Sequence, residues 1–103
     1  MIRRAFIMRL KPGSLAEYKR RHDALWPELA AKLRECGVYK FATFESEPTL
    51  FLYSEIEDEG AWDRVWESEI HREWAKLMDP LMDMEPDGKP AAKIMPQVFN
   101  FEA

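Results

Sequence analysis

The sequence predicts an α+β fold in which helices cover one face of a four-stranded antiparallel sheet. Three observations lead there. Apolar residues alternate, at least in part, along several short stretches and recur at three- and four-residue spacing in the segments between them. Turn-forming clusters, Lys11-Pro12-Gly13, Ser46-Glu47-Pro48 and Glu85 to Pro90, separate those segments. The resulting order is strand, helix, strand, strand, helix, strand, or βαββαβ. At 103 residues the chain is expected to be a single domain spanning 1–103.

The first strand is Arg3 to Leu10, with Phe6, Met8 and Leu10 on one face and Ala5 and Ile7 on the other. Ser14 then opens a helix, and Glu17 three residues later matches a capping box. Leu15, Tyr18, His22, Leu25/Trp26, Leu29 and Leu33 form its apolar stripe. Pro27 removes a backbone donor and crowds the preceding turn, so a kink or restart is expected at Ala24 to Trp26. Gly37 is placed to end the helix. Val38 to Glu45 reads as the second strand, with Tyr39, Phe41 and Thr43 opposite Val38, Ala42 and Phe44. Thr49 to Ile56 is the third, with Leu50, Leu52 and Ile56 opposite Phe51, Tyr53 and Glu55. Asp58 is expected to cap a short helix carrying Trp62, Val65 and Trp66. A further helix holds Ile70, Trp74, Leu77, Met78, Leu81 and Met82, distorted at Pro80. A loop over Glu85 to Pro90 leads to a last strand, Ile94 to Phe101. This order is that of a ferredoxin-like fold. Helices can cover only one side of such a sheet, yet several strands are apolar on both faces. An uncovered apolar face marks an interface, so two sheets are expected to pack together in a homodimer, closing into a barrel.

Composition excludes several classes. Hydrophobic residues make up 47% and charged residues 33%, which is too apolar for a disordered chain. Lys and Arg total 15 against 19 Asp and Glu, a net charge of -4 with no basic block. No nucleic-acid surface is expected, since phosphate binding needs clustered Lys and Arg. No apolar run reaches the roughly 20 residues that span a bilayer, so no membrane partner is expected. The N-terminal charges are followed by no long apolar stretch, unlike a signal peptide. Cys36 is the sole cysteine, which suits a reducing cytoplasm. No Cys/His cluster has metal-ligand spacing, so no metal site is expected.

Tyr18, His22 and Trp26 stand at i, i+4 and i+8 and share one helix face. Histidine exchanges protons near neutrality and tyrosine offers a hydroxyl donor and acceptor. Tryptophan offers a flat apolar surface, and the set suits a sugar, whose ring has a C–H-rich face and directed hydroxyls. By spacing alone, however, a His and a Tyr on an apolar stripe are more often hydrogen-bonded core residues. Trp26, Trp62 and Trp66 read as packing, Lys19-Arg20-Arg21 as a solvated face, and His71 as plain surface. Spacing leaves Trp74 evenly divided between core and site.

Several motifs carry a resemblance to a known family. They are Ile2-Arg3-Arg4-Ala5-Phe6, Glu17-Tyr18-Lys19-Arg20-Arg21-His22, Trp26-Pro27-Glu28-Leu29, Trp74-Ala75-Lys76, Pro86-Asp87 with Pro90, and Val98-Phe99. The chain resembles the L-rhamnose mutarotases, small bacterial sugar isomerases, nearly end to end. The resemblance implies a dimeric α/β barrel of ferredoxin-like subunits, a monosaccharide substrate and no cofactor. It implies that His22 is the catalytic proton-transferring residue and that Tyr18 binds the sugar. It also implies that Phe41, Trp74 and Ala75 line the substrate site. Three positions depart from the family pattern. Phe41 replaces a strand tyrosine, Ala75 replaces the second tryptophan of a pair, and Glu85-Pro86-Asp87-Gly88 replaces Asn-Pro-Asp-Asn. These departures bear on which sugar is turned over, L-rhamnose or a related 6-deoxy sugar such as L-fucose. The expected reaction is interconversion of α and β anomers by acid–base ring opening and closure. Two other readings fit the fold class: a small monooxygenase acting on haem or aromatic substrates, with His22 as an axial ligand, and a non-catalytic dimeric ligand-binding module.

Overall fold

A computed structural model describes residues 1–103. Strand β1 (Ile2–Arg9) leads into two short helices, α1 (Leu15–Asp23) and α2 (Pro27–Glu35). Strands β2 (Val38–Ser46) and β3 (Thr49–Ile56) form a hairpin. Helices α3 (Ala61–Glu67) and α4 (Glu69–Met78) follow, then a 3₁₀ turn (Asp79–Leu81) and strand β4 (Ala92–Met95). The sheet order is β2-β3-β1-β4 and every pairing is antiparallel, the ferredoxin-like arrangement expected from the element order.

The expected break at Pro27 is present. Proline takes the first position of α2, where a missing backbone donor has no consequence, and Trp26 before it is extended at φ -64° and ψ 132°. Gly37 ends α2 at φ 96°, a conformation that side chains disfavour, and a Cβ there would lie 2.9 Å from Glu57 Cβ.

Register decides what lies under the helices. Arg4, Phe6 and Met8 of β1 pair with Ser54, Leu52 and Leu50 of β3, and these positions share the helix side. The core falls into two parts. Met8, Leu10, Tyr18, Leu29, Leu50, Leu52, Trp74, Met78 and Met82 form the larger one. Cys36, Val38, Ile56, Ala61 and Val65 form the smaller. Ser54 is the buried polar side chain of the sheet. It donates to Arg4 O at 2.8 Å and accepts from Trp62 Nε1 at 2.9 Å, so its burial leaves nothing unpaired.

Four expectations are corrected. The last strand is Ala92–Met95, not Ile94 to Phe101. Pro96 has no backbone N–H to continue the ladder, and Val98, Phe99 and Phe101 beyond it are exposed. The capping box does not form, because Ser14 makes no side-chain cap bond. Glu17 instead accepts from Arg20 at 2.5 and 2.6 Å and pairs with Arg21 at 3.3 Å. Asp58 is not the cap of α3; Gly60 is, and Asp58 Oδ1 accepts from Gly60 N and Arg64. Finally, β2 does not alternate cleanly. A bulge between Val38 and Lys40 puts Val38 on the helix side with Phe41 and Thr43 and leaves Tyr39 exposed.

Candidate active site

Between the sheet and the helices lies a cavity of about 770 Å³. Its floor includes Leu50 and Leu52 of β3 and Met8 of β1, and its sides come from α1, β2, α3 and α4. Tyr18, His22, Phe41, Trp74 and Ala75 all line it. They are drawn from three elements distant in sequence, so only the tertiary fold brings them together.

Tyr18 is buried and His22 is half-buried on the inward face of α1. Their rings stack at 4.1 Å between centroids and 24° between planes. His22 Nδ1 lies 3.1 Å from the carbonyl oxygen of Tyr18. A carbonyl only accepts, so Nδ1 carries the proton and donates it. The Nε2 lone pair is therefore left free on a ring that borders the cavity. Burial pushes the His22 imidazole below its ordinary value; the Tyr18 carbonyl and the Asp23 charge oppose that only in part. The same burial raises the Tyr18 phenol, with a hydrogen bond to Thr43 acting the other way. At neutral pH the pair is thus a neutral imidazole beside a neutral phenol.

The aromatic wall is fixed by edge contacts. Trp74 meets His22 at 5.4 Å and 84°, and meets Trp26 at 5.2 Å and 84°. Trp26 braces Trp74 without lining the cavity, in keeping with its reading as a packing residue. Phe41 meets Trp62 at 5.0 Å and 76°, and Trp62 is itself held by Ser54. Arg21 donates to Leu77 O, which ties α1 to the end of α4.

The last of the three departures, Glu85, is exposed and away from the cavity; Lys89 and Pro90 of the same loop border it instead. His71 corrects the sequence reading: it is half-buried and lines the cavity, with its ring 4.7 Å from that of Trp66. Its signal was present in the spacing. His71, Trp74, Ala75 and Met78 stand at i, i+3, i+4 and i+7, the inward stripe of α4. Trp62, Trp66 and Asp79 also line the cavity.

A family model described as L-rhamnose mutarotase matches residues 3–101. The chain belongs to the L-rhamnose mutarotase family. L-rhamnose mutarotase of Tolumonas auensis is 45% identical over 101 residues, covering 96% of this chain and 97% of that protein. That of Listeria monocytogenes is 44% identical with the same coverage. A crystal structure of L-rhamnose mutarotase from Formosa agariphila superposes with a TM-score of 0.86 at 35% identity, covering 99% of this chain and 100% of that one. The family is one of carbohydrate isomerases. A putative antibiotic biosynthesis monooxygenase from Nitrosomonas europaea has a TM-score of 0.64 at 14% identity, a likeness of fold alone.

Proposed function

We propose that residues 1–103 act as one mutarotase domain that interconverts the α and β anomers of L-rhamnose, with L-fucose as a further candidate substrate. One observation carries the chemical part: His22 Nδ1 lies 3.1 Å from the Tyr18 carbonyl oxygen on a ring that lines the aromatic cavity, which leaves Nε2 to act as the base. His22 Nε2 takes the proton of the anomeric hydroxyl as the C1–O5 bond opens. The ring oxygen receives a proton, either returned from the imidazolium or donated by the Tyr18 phenol. The aldehyde rotates about C1–C2, and the same transfers run backwards to close the other anomer. Proton balance is kept at each turnover, and the chain's own side chains suffice for it. Trp74 supplies an apolar surface for the sugar's C–H face, Phe41 of β2 forms part of the wall, and Ala75 leaves room beside Trp74.

Saturation-transfer NMR on L-rhamnose and L-fucose tests this across pH. Exchange on L-rhamnose should accelerate with added protein. Its kcat/KM should hold at neutral pH and fall on acidification, because protonating His22 removes the base. Burial lowers that pKa, so the fall should lie below the ordinary histidine value of about 6.5. A fall centred above it would show that another group titrates.

The sheet's outer face supports a homodimer. Ala5, Ile7, Ala42, Phe44, Phe51 and Met95 lie on the side without helices, and Phe44 pairs with Phe51 across β2 and β3. Phe44 is 64% exposed, an arrangement that a second copy's sheet would cover. Phe44→Glu combined with Phe51→Glu should sediment as a monomer while keeping its helical circular dichroism. A dimer that survives both charges would place the interface elsewhere. The lone, buried and free Cys36 fits a cytoplasmic setting.

A further inference from the structure

Helix α4 presents a second polar stripe to the cavity, one turn away from the contact between Trp74 and His22. His71, Ala75 and Asp79 stand at i, i+4 and i+8, and all three line the cavity. Asp79 keeps helical backbone angles, φ -55° and ψ -39°, so the spacing carries through the helix end. Neither the His71 ring nor the Asp79 carboxylate has a side-chain or charged partner, and burial alone acts on their titration. No fully enclosed side-chain nitrogen or oxygen in the protein lacks a hydrogen bond. The unpaired atoms of these two residues are therefore open rather than sealed in the core. Trp66 holds the His71 ring in place, and the methyl of Ala75 leaves a gap between the two polar groups.

We infer that His71 and Asp79, on either side of the Ala75 gap, bind the non-reacting hydroxyls of the sugar while Tyr18 and His22 serve its anomeric end. The chemistry of the stripe selects for such a ligand. A neutral imidazole has one donor and one acceptor, and a carboxylate accepts twice. Hydroxyls spaced across the sugar ring can donate to both and accept from the imidazole, since eight residues of helix separate the two groups by about 12 Å. An apolar group in the gap would strip water from both residues and give nothing back. His22 touches Trp74 from α1, His71 precedes Trp74 by three residues on α4, and all three border the same cavity. A pyranose laid against Trp74 would meet Tyr18 and His22 from α1 and His71 and Asp79 from α4.

This inference rests on the mutarotase reading, and one experiment separates the two. Anomer exchange is measured by saturation-transfer NMR for L-rhamnose and for monodeoxy analogues that each lack one ring hydroxyl. The unchanged protein, His71→Leu, His71→Gln and Asp79→Asn are compared. A site that hydrogen-bonds a hydroxyl rejects the analogue lacking it. The unchanged protein should therefore lose about tenfold or more in kcat/KM with at least one analogue. His71→Leu should raise KM for L-rhamnose about tenfold, hold kcat within about threefold, and no longer reject that analogue. His71→Gln, which keeps a donor and an acceptor, should recover most of the lost affinity. Unchanged KM and unchanged discrimination in both His71→Leu and Asp79→Asn would overturn the subsite. If the unchanged protein exchanges no anomers, the mutarotase reading fails by itself. Tryptophan fluorescence on adding L-rhamnose then decides the subsite: weaker binding by His71→Leu supports it, and equal or absent binding overturns it.

Discussion

His22→Ala is expected to slow anomer exchange on L-rhamnose by about a hundredfold or more, in the range of one lost general acid–base group. The expectation follows from how the imidazole is held. Its Nδ1 proton is committed to the Tyr18 carbonyl at 3.1 Å, and its ring is stacked on Tyr18 and met edge-on by Trp74. An imidazole held in this way is oriented before any substrate arrives, which is where the rate advantage of a positioned group comes from. His22 is only half-buried and outside the main apolar cluster, so its removal should leave the fold intact by circular dichroism. His22→Gln makes the stricter comparison, since it keeps polarity and bulk but cannot take up a proton near neutrality. Both variants should be slow if proton transfer is the role. Exchange by His22→Ala at the rate of the unchanged protein would remove His22 from the mechanism.

Leu50→Ala is expected to destabilise the fold by about 3 kcal/mol, the scale for a fully buried leucine truncated to alanine. Leu50 is 0% exposed and lies in β3, which is paired on both sides, to β1 and β2. Strands held along both edges cannot close in on the missing atoms, so the void persists. It would open into the cavity floor, where Leu50 already sits. A domain of this size has about 5–15 kcal/mol in all, so the urea midpoint should fall by a large fraction with an unchanged slope. A midpoint within error of the unchanged protein would mean that the floor relaxes to fill the space.

Individual elements show what was legible beforehand. The strand Thr49–Ile56 could be placed to the residue because its apolar period and its flanking Pro48 and Glu57 agree. The break before Pro27 was equally legible, since proline acts on its own backbone and on its immediate neighbours. The errors lie where a residue had more than one partner to choose from. Glu17 had the pattern of a capping box but lay within reach of two arginines, and the charged pair prevailed. Val38 changed face because of a bulge that no local pattern announces. The last strand ended early at Pro96, a local signal that the apolar residues beyond it had masked.

The site divides in the same way. Periodicity placed Tyr18 and His22 on one helix face, and the family motif selected them from other polar residues on apolar stripes. Charged neighbours in the chain give His71 the look of a surface residue, although its spacing to Trp74 and Met78 puts it on the inward stripe. The sequence by itself determined the order of the elements, the antiparallel sheet, the break at Pro27 and the family. These depend on steric and hydrophobic preferences that act over a few residues. The tertiary structure decided which of those faces meet: that α1, β2 and α4 enclose one cavity, that a backbone carbonyl frees His22 Nε2, and that His71 and Asp79 face the same space. The physical reason is that a cavity is made of groups far apart in the chain. Their distances are set by how helices seat on a twisted sheet, which short-range spacing does not encode.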